Sequence, residues 1–151
     1  MSIFNALNTS ASALTAQRLR MDVISSNIAN AQTTRATINE NGEFEPYRRK
    51  MVVVEPKDNS FRSYLQKATN TSSNPGSGVK VTEIIEDDDP FKLVYNPNHP
   101  DANEDGYVQL PNVDPLKEMV DLMSATRSYE ANITSVNATK SMLLKALEIG
   151  K

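Results

Sequence analysis

The chain has 151 residues, 38% of them hydrophobic, and contains neither cysteine nor tryptophan. That length suits one compact domain or two small pieces, and the lack of cysteine excludes a disulfide framework and a thiolate metal site. The net charge of −3 divides into +1 over residues 1–34, −4 over 35–113 and zero over 114–151, so no segment has the clustered basic face of a nucleic-acid binder.

The first element is read from its spacing. Positions 3, 7, 10, 14, 17, 21, 24 and 28 hold Ile3, Leu7, Ser10, Leu14, Gln17, Met21, Ile24 and Ile28. Alternating steps of four and three keep them on one helix face, the seam of a coiled coil. Ala6, Ala11, Ala13 and Ala16 favour the helix and permit close approach. The opening "MSIFNALNTSASALTAQ" is broken by Asn, Ser and Thr, which predicts no cleavable signal core. No run reaches the ~18 apolar residues of a membrane-spanning helix. At residues 25–34 stands "SSNIANAQTT". Asn27 and Asn30 are poor in helix interiors because their side chains compete for nearby backbone groups. They predict the place where the helix stops and the chain turns away.

The middle, residues 36–113, is punctuated. Seven of the eight prolines lie between Pro46 and Pro111, and no glycine occurs before Gly42 or between Gly106 and Gly150. "YRRKMVVVE" (47–55), "SFRSYLQK" (60–67) and "VKVTEIIE" (79–86) read as strands. "YRRK" is the only basic run and reads as solvated strand. "TNTSSNPGSG" (69–78) reads as a loop rich in turn formers. Residues 91–115 open as a short strand and continue as a proline-laced extended segment.

The last element mirrors the first. Asp114 is placed to cap a helix with Pro115 at its first position, and Gly150 suits its end. Positions 119, 122, 126, 129, 133, 136, 140, 143 and 147 hold Met119, Leu122, Thr126, Tyr129, Ile133, Val136, Lys140, Leu143 and Leu147. The two seams predict long terminal helices that pair as a coiled-coil-like hairpin, with a small β-rich region between them: an α+β fold in three parts, 1–35, 36–113 and 114–151. Ser10, Gln17, Thr126 and Lys140 are polar breaks that lower the stability of an isolated pair and set register or partner choice. Helices this long exceed what the small middle can cover, which predicts that the seams are completed by other subunits.

Groups that could carry chemistry are few. His99 is the only histidine, and no G-x-S-x-G elbow supplies a nucleophile for it. Asp101, Asn103, Asp105 and Gly106 match the start of an EF-hand loop. The twelfth position is Asn112 in place of a bidentate Glu, Pro100 precedes the loop, and Pro111 lies inside it. An Asx-rich turn closed by Gly106 explains the same residues. "EDDDP" (86–90) reads as a solvated turn. No cofactor motif and no enzyme site emerge. A calcium-binding module using residues 101–112, or a coiled-coil adaptor using the heptads, are the competing readings.

A resemblance is more specific. "SASALTAQRLRMDVISSNIANAQTT" (10–34) resembles the N-terminal signature of bacterial flagellar rod and hook proteins, with Asn27, Ile28, Ala29, Asn30, Ala31, Thr33 and Thr34 at its centre. "EMVDLMSATRSYEANITSVNATKSMLLKALEIGK" (118–151) is similar to that family's C-terminal helix, through Met123, Arg127, Tyr129, Ala131, Asn132, Leu143, Leu144 and Leu147. The segment 96–114 and the short middle look most like the proximal-rod subunits. The resemblance implies a structural subunit of the basal-body rod, exported unfolded through the flagellar type III apparatus without a cleaved signal. It implies a place in the rod across the cell envelope, with copies of itself and other rod proteins as partners, no nucleic acid and no membrane insertion. Both terminal helices would pack in the core of the shaft. The expected assembly residues are Ile3, Leu7, Leu14, Met21, Ile24, Asn27, Ile28, Asn30, Met119, Leu122, Tyr129, Ile133, Val136, Leu143 and Leu147. No cofactor, metal or catalytic residue is implied.

Overall fold

The structure, a computed structural model, describes residues 3–39, 42–57, 68 and 78–149. Helix α1 runs Ile3–Ala29 and helix α2 runs Pro115–Ile149. Between them lie β1 (Thr37–Ile38), β2 (Phe44–Glu45), β3 (Lys50–Pro56), β4 (Val79–Glu86), β5 (Lys92–Tyr95) and β6 (Tyr107–Leu110). The architecture is the expected α+β arrangement of two long helices around small strand pairs. The segment 60–67, the loop 69–77 and Gly150 lie outside the described residues.

Each strand described pairs with one partner, β1 with β2, β3 with β4 and β5 with β6. β5 and β6 are antiparallel, with Val94 opposite Val108 and Tyr95 opposite Tyr107. The β3–β4 pair is bracketed by bonds from Lys57 N to Gly78 O and from Asp87 N to Arg49 O, an antiparallel closure. The expected strand over 79–86 is observed in full, and the expected strand over 47–55 begins at Lys50. Tyr47 and Arg49 precede that strand because their side chains are turned to other uses, described below.

The chain gathers into two compact units. One takes Met1–Arg20, Val52–Glu83 and Ser124–Lys151, the other Met21–Met51 and Ile84–Met123. In the first unit the buried apolar side chains are Ala16 and Ala125, small residues that let backbones come close. In the second they are Val23, Ile24, Tyr47, Val108 and Val113.

Helix ends follow from local chemistry. At the start of α2 the Asp114 carboxylate accepts from Leu116 N at 3.1 Å, and Pro115 needs no hydrogen-bond acceptor there. At the end of α1 the ladder tightens: Asn30 N bonds Ser26 O and Ala31 N bonds Ile28 O. Asn30 Nδ2 donates to Ser26 O at 2.9 Å, and Thr33 Oγ1 donates to Asn30 Oδ1 at 3.2 Å. Asn30 thus closes the helix on itself. Gly106 turns the chain back into β6 with φ of +78°, where a Cβ would stand 3.0 Å from the Tyr95 ring.

Candidate functional site

Two features stand out: a buried polar hub at the end of α1, and a line of exposed apolar side chains along α2. The hub is built around Asn27, which is 1% exposed. Its Oδ1 accepts from Tyr47 Oη and from Lys50 N, both at 3.0 Å. Its Nδ2 donates to Lys50 O at 2.9 Å and to Glu118 Oε2 at 3.0 Å. Two acceptor and two donor positions are all used. Asn27 was expected to cap backbone groups at the helix end or to bond a neighbouring subunit; its amide spends its whole hydrogen-bonding capacity inside the chain. The helix interior disfavours asparagine, and this hub is the compensation.

Glu118 is fully buried. Arg49 Nε donates to its Oε1 at 2.7 Å, and Arg49 also reaches Asp87 at 3.2 Å and Asp121 at 3.8 Å. Burial alone lowers the Arg49 pKa, but the bonds to Glu118 and Asp87 outweigh it and raise the value, so the guanidinium stays charged. The Asp89 amide, and after it Arg49, hold the Asp87 carboxyl below its ordinary range against partial burial. Asn112 braces the same region. It accepts from Arg49 N at 2.8 Å and donates to Asp87 O and Asp89 O at 3.2 and 3.1 Å. The hub ties the last turns of α1 to the approach to β3 and to the first turn of α2.

The first half of the EF-hand-like stretch, residues 101–106, lies in the connection between β5 and β6, and the rest runs through β6. Asp101 is held by Arg35, whose Nε donates at 2.7 Å, and by Thr34 Oγ1 at 2.8 Å. The Arg35 bond first, and then the Thr34 bond, lower its pKa. His99 Nδ1 accepts from Asp101 N at 3.1 Å. Among the described residues no three His, Cys, Asp or Glu side chains are grouped to hold a metal ion. Asp101, the first residue of the calcium pattern, serves as an anchor for the segment that follows α1.

Glu118 fixes the rotation of α2. A side chain drawn fully inward sets the phase of every later turn at 3.6 residues per turn. Beyond Tyr129 the covered positions are Asn132, Val136, Thr139 and Leu143. The expected seam shares Leu122, Thr126, Tyr129, Val136 and Leu143 with this face, but Met119 and Ile133 sit to one side of it. Met119 is 49%, Ile133 38% and Leu147 72% exposed. Leu116, Val120 and Met123 join Met119 on the first turns, each more than half exposed. On α1, Leu7, Leu14, Met21 and Ile28 are half-buried and Ile24 is buried. The side chain of Ile3 lies outside the described residues.

Similarity to known proteins gives the exposed line a context. Residues 7–37 match the family model described as flagella basal body rod protein, and residues 104–149 match the flagellar basal body rod FlgEFG protein C-terminal model. A flagellar basal-body rod protein FlgC from Bacillus subtilis is 66% identical over 151 residues, covering all of both chains. The chain belongs to the FlgC family of flagellar basal-body rod proteins. FlgC of Borreliella burgdorferi is 43% identical, over 99% of this chain and 98% of that one. FlgC of Salmonella typhimurium is 41% identical over the whole of both. The FlgC family is structural and not enzymatic, and its place is the flagellar basal body. No described helix is long and apolar enough to cross a membrane.

One family match covers Asn27 and the other Glu118, but neither reaches Tyr47, Arg49 or Asp87, which complete the hub. Sequence reasoning missed Glu118 because an acidic residue in a first helical turn already has a sufficient explanation in the helix dipole. It missed Arg49 inside the one basic run. The usable signal was the pairing of a mid-helix Asn with a Tyr and an Arg just before a β-branched strand.

Proposed function

We propose that the chain is a building block of the proximal part of the flagellar rod, that it assembles with copies of itself and with other rod proteins, and that it transmits torque as part of the shaft. The observation that carries this reading is the apolar line on α2. Leu116, Met119, Val120 and Met123 occupy two turns of one helix and are 75%, 49%, 59% and 54% exposed. Continuous apolar surface on a helix is unusual in a protein that works alone and marks a contact surface. These residues are the primary assembly surface in this reading. Leu7, Leu14, Met21, Ile24, Ile28, Leu122, Tyr129, Val136 and Leu143 form the face that stabilises the subunit itself and contribute where their edges remain open. Asn30 closes α1 and shapes its end.

Export through the flagellar type III apparatus, as a chain without a cleaved signal, completes the proposal. The rod reaches across the cell envelope, so its subunits must be delivered beyond the cytoplasm. Deletion of the gene in its source organism, with imaging of isolated basal bodies and complementation, tests the reading. Shafts that vanish and return with the gene are the expected result. Intact flagella in the deletion strain would refute it.

A further inference from the structure

Methionine is an apolar side chain that mild oxidants convert into a polar one. Among the methionines described, Met21 and Met51 are half-buried, and Met119, Met123 and Met142 are exposed. Met142 stands several turns along α2. Met119 and Met123 belong to the apolar line at its start. They are four residues apart, so their side chains are neighbours on one face of the helix. Leu116 and Val120 occupy the same face at steps of three and four. Burial of Glu118, which bonds Asn27 and Arg49, holds this face outward. Leu116, Met119, Val120 and Met123 have no hydrogen-bond donor in their side chains. The nearby Asp121 carboxylate is turned to Arg49 at 3.8 Å. A polar atom created on the line therefore has only water, or a covering neighbour, to bond it.

We propose that Met119 and Met123 are modification sites, and that their oxidation by a peroxide to methionine sulfoxide takes the subunit out of assembly. This rests on the rod reading above. The thioether sulfur attacks one peroxide oxygen, and the S–O bond forms as the O–O bond breaks. With hydrogen peroxide, the departing oxygen takes up the proton of the transferred one and leaves as water. Sulfur loses two electrons and the peroxide gains them. Each sulfoxide puts a strong acceptor on a surface that offers it no donor. Water satisfies that acceptor in the free subunit, and a neighbour that covers the line removes the water. A buried acceptor left unpaired weakens a contact roughly tenfold, so two weaken it roughly a hundredfold. Folding of the subunit is little affected, because both side chains stay on its surface. Covering the line puts the sulfurs out of reach, so the modification acts on the subunit before it is assembled.

The test has two parts. The purified full chain is treated with hydrogen peroxide, and sulfoxide formation at each methionine is followed by peptide mass spectrometry. Met119 and Met123 should oxidise several-fold faster than Met21 and Met51, and equal rates overturn the proposal. The double variants Met119→Gln with Met123→Gln, and Met119→Leu with Met123→Leu, are then expressed in the deletion strain, and rod-bearing basal bodies are counted. Gln carries an acceptor oxygen at nearly the reach of a sulfoxide. Leu is apolar and cannot be oxidised, and both match Met in helix propensity. Urea denaturation of the purified variants checks that they fold. The expected result is a wild-type midpoint for both pairs, rods at the wild-type level with the Leu pair, and roughly tenfold fewer rods or less with the Gln pair. Normal rods with the Gln pair overturn the proposal. So does a loss of rods with the Leu pair, which would make side-chain shape and not polarity the requirement. A Gln pair with a lowered midpoint also overturns it, since these positions would then be structural. Failure of the wild-type gene to restore rods counts against the rod reading itself, and the proposal falls with it.

Discussion

Replacing Asn27 with alanine removes four hydrogen bonds from a side chain that water does not reach. Three go to uncharged groups, the Tyr47 hydroxyl and the Lys50 amide and carbonyl, and one to the Glu118 carboxylate. At about 1 kcal/mol for each neutral bond and about 2 for the charged one, the loss is about 5 kcal/mol. Alanine returns about 0.6 kcal/mol through better helix propensity. The net destabilisation is then about 4 kcal/mol, a large fraction of the ~5–15 kcal/mol that holds a domain together. Asn30→Ala is the internal comparison. Asn30 is half-buried, and its two bonds are local, so its loss should cost about 1 kcal/mol or less. Urea denaturation monitored by circular dichroism and tyrosine fluorescence measures both, and without tryptophan the emission of the five tyrosines is not masked. Equal midpoints for the two variants, or an Asn27→Ala loss under about 1 kcal/mol, would show that the hub is not a stabilising network.

Three further outcomes are expected. Gly78 has φ of +100°, and a Cβ there would press into Ser12 Oγ, so Gly78→Ala should destabilise the chain by about 2 kcal/mol through strain and clash. The double variant with Ser12→Ala should recover part of that loss in a denaturation cycle, whereas simple additivity would remove the clash from the explanation. Asp87 and Asp101 both have folded pKa values below the ordinary 3.8, so their contribution is complete above that pH and is lost as pH falls through the lower folded values. Acid titration of stability should steepen below about pH 3.8 and flatten in Asp87→Asn; an unchanged slope would contradict the Asp87 pairing. Met123→Lys places a charge on the exposed line of α2, so monomer stability should move by no more than about 0.5 kcal/mol while basal bodies lose their rods. Normal swimming by that variant would move the assembly surface elsewhere.

The sequence made the two helices, the strand over 79–86 and the capping of α2 legible because each is a local matter. Heptad spacing, β-branched alternation and an Asp-Pro start need no knowledge of the rest of the chain. The hub was not legible. Asn27, Tyr47, Arg49, Asp87, Asn112 and Glu118 are scattered over 92 positions, and each alone has an ordinary explanation. Asn112 was noticed only as the wrong residue for calcium. In the fold it serves as an amide clamp between the β3 approach and the turn after β4. Asn27 was read as a helix-end residue that caps backbone groups or bonds a neighbour; in the fold it is buried and bonded to the approach to β3 and to Glu118.

Glu118 explains why a seam read from apolar periodicity and the face observed in the fold differ by one residue at alternate positions. Had apolar burial alone set the rotation of α2, Met119 and Ile133 would lie inward and Glu118 would be solvated. Arg49 and Asn27 instead draw Glu118 inward, and a residue next in sequence is turned by about 100° around the axis. Met119 is thereby presented outward, together with Leu116, Val120 and Met123. A buried ion pair adds little to stability compared with a well-packed apolar substitute, so stability alone is a poor reason for keeping it. Its effect on rotation is a better one: the hub gives up apolar burial inside the subunit and leaves Leu116, Met119, Val120 and Met123 on the outside, the surface that the proposed assembly would use.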